Sequence, residues 1–115
     1  MKVIIIEDNC FKISLIQWYI KSFVESSVIV NSLFEALPYL EKQQFNYIFL
    51  DHHLPDCKGS DFVDTIKDMQ RNAKCISISN DIMIVRNYRN LGYNDIFQPP
   101  FEKSVERIFR NALVF

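Results

Sequence analysis

Four short runs dominated by β-branched and aromatic residues stand out along the chain: Val3–Ile6, Ser27–Val30, Tyr47–Leu50 and Cys75–Ile78. They are nearly continuous in apolar character rather than alternating, which suits strands covered on both faces of a parallel sheet. A fifth run, Asp95–Phe97, is weaker and is predicted mainly from its position. Between these runs the apolar positions recur with helical spacing. Over residues 9–24, Leu15, Ile16, Tyr19, Ile20 and Phe23 share one face, and Asn9 suits an N-cap. Residues 33–42 predict a second helix through Leu33, Ala36, Leu37 and Leu40, with Pro38 expected to tighten or bend it. A third is predicted over 60–70 with Phe62, Val63 and Ile66 inward, a fourth over 81–91, and a fifth over 102–113 through Val105, Ile108, Phe109 and Leu113. Strand and helix thus alternate five times with short connections. The pattern implies an α/β fold: a five-stranded parallel sheet, helices on both faces and right-handed crossovers. Gly59 falls in the turn after the third strand, and Gly92 follows the fourth helix as a C′ residue would.

Composition narrows the class. A length of 115 residues suits one domain, expected to span 1–115. The net charge is −1 with acids and bases mixed, so no basic stripe exists to neutralise a run of phosphates, and nucleic-acid binding is not expected. Cys10, Cys57 and Cys75 are odd in number and lack metal-ligand spacing, and the chain opens on a strand-like run without a charged leader. Both features favour a reducing, cytoplasmic setting. The apolar runs are too short to cross a bilayer. The ten Phe and five Tyr suggest that some aromatic surface stays uncovered.

In an open parallel sheet the working site lies beyond the carboxyl ends of the strands. Glu7 and Asp8 stand there after the first strand, Asp51 after the third, and Ser79 and Asn80 after the fourth. Three carboxylates on neighbouring strand ends repel one another unless a cation lies between them. Hard oxygen donors with room for water suit Mg²⁺. Any one of these acids alone would be read as a solvated strand-end residue; the trio favours a site.

At these residues the sequence resembles the response-regulator receiver family of two-component signalling, the CheY-like domains. The resemblance runs through Ile6-Glu7-Asp8-Asn9, Leu50-Asp51-His52-His53-Leu54-Pro55 with Gly59, a hydroxyl after strand four, and Gly92-Tyr93-Asn94-Asp95 before Pro100-Phe101. It implies the flavodoxin-like, doubly wound receiver fold. It makes Asp51 the phosphoacceptor, with Asp8 and Asp51 ligating Mg²⁺ (or Mn²⁺) directly, Glu7 acting mainly through water, and the His53 backbone carbonyl as a further ligand. Counting from Asp51 points to Ser79 as the hydroxyl acting on the phosphoryl group, whereas counting back from Gly92 points to Ser77. Ser79 is preferred because Ile76 and Ile78 continue the strand up to it. The resemblance also implies a cis bond before Pro100. The partners it implies are a cognate histidine kinase or phosphotransfer protein and a downstream protein target.

The family places a lysine before the proline that follows strand five; this chain has Pro99. The pocket then holds Glu7, Asp8 and Asp51, with Asp81 expected nearby, and no cation of its own. Lys58, in the loop after Asp51, is better read as solvated. Ile96 replaces an aromatic residue that often rotates on activation. His52 and His53 are adjacent on leaving a strand, so their rings are expected to diverge, His53 to the pocket rim and His52 away. Cys57 has no evident activating base and reads as a passive thiol. Phe11 and Trp18 lie on one edge of the first helix, where they either pack against a neighbour or form a contact patch. The latter is favoured because this edge commonly docks the kinase in receivers.

The leading function is therefore a phosphoryl-accepting receiver, not an enzyme, acting as a stand-alone relay or adapter. The alternative is a degenerate receiver serving as a phosphorylation-independent interaction module, which Pro99 and Ile96 favour. A haloacid-dehalogenase-type phosphatase would need an acid where His53 stands, and a flavodoxin-like binder would need a hydroxyl-rich loop where Glu7-Asp8-Asn9-Cys10 stands.

Overall fold

A computed structural model describes residues 1–110. Five strands form one sheet: β1 (Val3–Ile6), β2 (Val28–Val30), β3 (Tyr47–Leu50), β4 (Lys74–Ser77) and β5 (Asp95–Ile96). Their order is β2-β1-β3-β4-β5 and every pairing is parallel, as the apolar runs predict. The helices are α1 (Cys10–Ile20), α2 (Leu33–Lys42), α3 (Val63–Met69), α4 (Ile82–Asn87) and α5 (Phe101–Ile108).

Strand alternation divides the core in two. Ile4, Ile6, Ile48 and Leu50 face Leu33, Ala36 and Leu40 of α2 and Val63 and Ile66 of α3. Val3, Ile5, Tyr47 and Phe49 face Ile16 and Ile20 of α1 and Val105 and Ile108 of α5. These four helices thus each bury one stripe, and every residue of β1 and β3 is buried because both faces are covered.

Several boundaries move from their predicted places, each for a local reason. Helix α1 keeps Asn9 as its cap, whose side chain accepts from the Lys12 amide at 3.0 Å, but it ends at Ile20 rather than 24. Strand β4 runs one residue earlier than predicted, because Lys74 takes the place opposite Tyr47 and Ser77 the place opposite Leu50. Phe97 lies outside β5 but its amide still bonds Ser77 O at 2.8 Å. The third helix begins as a 3₁₀ turn over Gly59–Phe62. Three residues per turn rotate the face relative to an α-helix, and Phe62 is exposed instead of inward. Leu113 lies outside the described residues. Gly92 has φ 101° and closes the turns after α4, as a C′ glycine should. The Pro99–Pro100 bond is cis, as expected.

One buried polar residue had no sequence signal. Gln70 is fully buried, and its amide donates to the carbonyls of Leu40 and Gln43 at 2.8 and 2.7 Å and accepts from the Phe45 amide at 2.8 Å. It ties the end of α3 to the end of α2. Gln70→Met keeps the volume but orphans those backbone groups, so chemical denaturation should show a loss of about 3 kcal/mol.

Candidate functional site

The chain winds one way from β1 to β2 and the other way from β3 onward, which opens a cleft at the carboxyl ends of β1 and β3. Glu7 and Asp8 follow β1 directly and Asp51 follows β3. Ile6 stands opposite Leu50, and the Asp51 amide donates to Ile6 O at 3.2 Å, so the two strand ends are level. One carboxylate oxygen from each of Glu7, Asp8 and Asp51 lies within 4.8 Å of the others. Asp8 is open to solvent, whereas Glu7 and Asp51 are each only 1% exposed. Independent solvation, the bland account of strand-end acids, fails for those two.

Burial drives the Glu7 carboxyl up to about 8, opposed by the Asn9 amide at 3.0 Å and reinforced by the Asp51 carboxylate. Glu7 Oε2 and Asp51 Oδ1 are buried without a hydrogen-bond partner. Such oxygens are costly to bury unless something compensates them. A hard divalent cation among three carboxylates does so, and the donor set fits one. Glu7 must lose its proton for the cation to gain a third charge. The apparent Mg²⁺ affinity should therefore rise about tenfold per pH unit up to about pH 8 and level off above it. The sign reverses for the metal-free fold. The stability that Glu7 contributes is complete below its unfolded value of 4.5 and is lost as pH rises through about 8. Calorimetric Mg²⁺ titrations at stepped pH check the profile, which Glu7→Gln should flatten.

The loop after Asp51 folds back over it. His53 and Lys58 form an antiparallel bridge, with the Leu54 amide on Cys57 O at 3.2 Å and the Gly59 amide on His52 O at 2.7 Å. The His53 carbonyl stays outside this ladder. Gly59 lies so close to the Asp51 carbonyl that no Cβ could be accommodated there. Asp56 crosses to the start of α2, accepting from the amides of Leu33 and Phe34 at 3.2 and 2.9 Å. Burial works to raise the Asp56 carboxyl, but those amides outweigh it and hold the group below its usual range. This capping residue lies in the loop rather than before the helix, so no local signal predicted it.

The histidine rings do not diverge. Their centroids are 4.7 Å apart, edge to face, because the strand has ended and its alternation with it. His52 Nδ1 is 2.6 Å from Ser60 Oγ, and His53 Nε2 is 3.2 Å from Asp81 Oδ2; neither ring joins the carboxylate group. Asp81, expected beside the acids, is outside that group too. It caps α4 through the Met83 amide at 2.9 Å, and this amide, with His53, holds its carboxyl below the usual range. Lys58 is exposed and makes no ion pair among the described residues. Burial and then Asp56 push the Cys57 thiol up, away from reactivity.

Ser77 lies within β4, wholly buried, its hydroxyl without a partner. Ser79 lies past the strand end, accepts from the Asp81 amide at 3.1 Å and lines an open cavity of ≈ 440 Å³ with Lys12, Gln98 and Pro99. The segment carrying Pro99 is fixed from behind. Ser104 Oγ donates to Gln98 O at 2.6 Å and accepts from its amide at 3.1 Å, while Arg107 grips Asp95 at 2.8 Å and Ile96 O at 2.7 Å. Ile96 is buried. Phe11 and Trp18 are 77% and 62% exposed, so the packing account of that helix edge fails. The Lys21 ammonium lies 3.3 Å from the Trp18 ring centre.

Comparison with known proteins agrees with this geometry. The response regulator receiver domain model matches residues 3–108, and the chain belongs to that family. Receivers are the signalling domains of two-component systems, and aspartate phosphorylation and metal binding are typical of them. The chain is 22% identical over 103 residues to the transcription factor SKN7 of Saccharomyces cerevisiae, a match covering 88% of this chain and 17% of that protein's length. Among solved structures, a CheY-like receiver domain from Methylobacillus flagellatus is similar with TM-score 0.81 at 18% identity, covering 96% of this chain and 97% of the other. The receiver domain of a sensor histidine kinase from Pseudomonas aeruginosa, which has magnesium coordinated in its active-site cleft, is similar with TM-score 0.77 at 22% identity, covering 96% and 94%. No helix among the described residues is long and apolar enough to cross a membrane.

Proposed function

We propose that residues 1–115 form one receiver that accepts a phosphoryl group on Asp51 and works as a relay or adapter in a two-component pathway. The observation that carries the proposal is the pair of buried, unpartnered carboxylate oxygens on Glu7 and Asp51 at adjoining strand ends. A proton on Glu7 or a cation between the two must compensate such a pair, and a cation beside Asp51 is what phosphoryl transfer needs.

Asp8 and Asp51 would hold Mg²⁺ or Mn²⁺ directly, with the His53 carbonyl, and Glu7 would reach it through water. One oxygen from each of the three carboxylates within 4.8 Å of the others supports a shared cation. When bound, the cation neutralises the carboxylates and the phosphoryl oxygens. An Asp51 oxygen attacks phosphorus in line; the new O–P bond forms as the bond to the donor's leaving group breaks. The Ser79 hydroxyl, past the strand end and in the lining of an open cavity although only 2% exposed, suits a donor to a phosphoryl oxygen better than Ser77 inside β4. The donor would be a histidine kinase or phosphotransfer protein, and exposed Phe11 and Trp18 on α1 suit its contact surface.

The alternative, a module indifferent to phosphorylation, rests on Pro99 and Ile96. A thermal-shift titration separates the two. Millimolar Mg²⁺ should raise the melting temperature of the parent and do far less for Asp51→Asn. No shift in the parent would remove the basis of the phosphoryl-accepting proposal.

A further inference from the structure

We infer that Lys12, in the first turn of α1, supplies the positive charge to the phosphoryl group that the lysine absent at Pro99 would otherwise give. The inference rests on the proposal that Asp51 is the acceptor.

Lys12 and Pro99 border the same cavity, together with Ser79. Lys12 and Pro99 thus open onto one space. Among the described residues, Lys12 is the one charged side chain in that lining; Leu15, Ile78 and Phe97 make most of the rest apolar. A charge at an apolar wall acts with less screening than one in water. Lys12 is half-buried and makes no ion pair among the described residues, so its ammonium is not committed elsewhere. Its backbone is fixed, because the amide donates to the Asn9 cap immediately after the Glu7-Asp8 pair. Lys58, the other lysine considered, is exposed in the loop.

In the transfer itself Lys12 donates an N–H to a phosphoryl oxygen as the Asp51 O–P bond forms and the donor bond breaks. Its charge attracts the phosphoryl group and repels the metal. A role in charge therefore predicts two effects of opposite sign, whereas a structural role predicts that both weaken.

The test uses Lys12→Met, which keeps the stem and removes the charge. Mg²⁺ affinity is measured first, then affinity for beryllofluoride, a phosphoryl mimic, at saturating Mg²⁺. Lys12→Met should bind Mg²⁺ several-fold more tightly and beryllofluoride about tenfold more weakly. Adding Pro99→Lys to Lys12→Met should restore beryllofluoride binding. The inference is overturned if Lys12→Met binds beryllofluoride as the parent does, or if it loses both ligands together. A parent that binds Mg²⁺ but neither beryllofluoride nor a phosphoryl group would instead overturn the assignment of Asp51, and this inference with it.

Discussion

Asp51→Asn is expected to stabilise the metal-free protein by about 1–3 kcal/mol at about pH 9 while weakening Mg²⁺ binding at least about tenfold. Glu7 and Asp51 are buried side by side, and each has an oxygen without a partner. Above the Glu7 value of about 8 both carry charge, so a neutral amide at position 51 relieves a buried repulsion. Near pH 6 the gain should shrink, because Glu7 holds a proton there and the repulsion is already reduced. Denaturation with chelator present, repeated at both pH values, checks the first half, and metal titration checks the second. A structural aspartate would behave otherwise, since its loss would cost stability at every pH.

Gly59→Ala should be the most damaging small substitution in the chain, costing about 3 kcal/mol or more and degrading metal binding with it. Its Cβ would run into the Asp51 carbonyl, a backbone atom that cannot rotate aside, with Leu50 also in the way. The loop would have to lift, breaking the Gly59 amide bond to His52 O and moving Asp51 from its place beside Glu7. The backbone at Gly59 needs no left-handed conformation, so close approach alone explains the residue. Denaturant melts and Mg²⁺ titration of the variant together read both losses.

The sheet was legible because burial on both faces writes continuous apolar runs such as Val-Ile-Ile-Ile at Val3–Ile6, which no helix of this length would favour. The acids were legible because strand ends in a parallel sheet converge, so Glu7, Asp8 and Asp51 could be brought together from topology alone. What escaped was decided by long-range bonding. Gln70 looked like an ordinary polar helix end, and its burial depends on carbonyls 27 and 30 residues away. Asp56 looked like a loop acid until α2 presented its amides. Asp81 was expected to crowd the acids, but the start of α4 and His53 claim it. The histidine rings defeated the strand-alternation rule at the first residues where the strand no longer exists. Lys12 was passed over because it falls in a helix start without a motif, and only the cavity connects it to Ser79 and Pro99.

The central claim, that Asp51 accepts a phosphoryl group, is tested most directly by intact-mass analysis after incubation with Mg²⁺ and a small acyl-phosphate donor. The parent should gain the mass of a single phosphoryl group. Lys12→Met should lower the yield or shorten the life of the adduct, and adding Pro99→Lys to it should restore one or the other. Asp51→Asn should gain nothing. A parent that stays unmodified, or an adduct that survives in Asp51→Asn, would contradict the account.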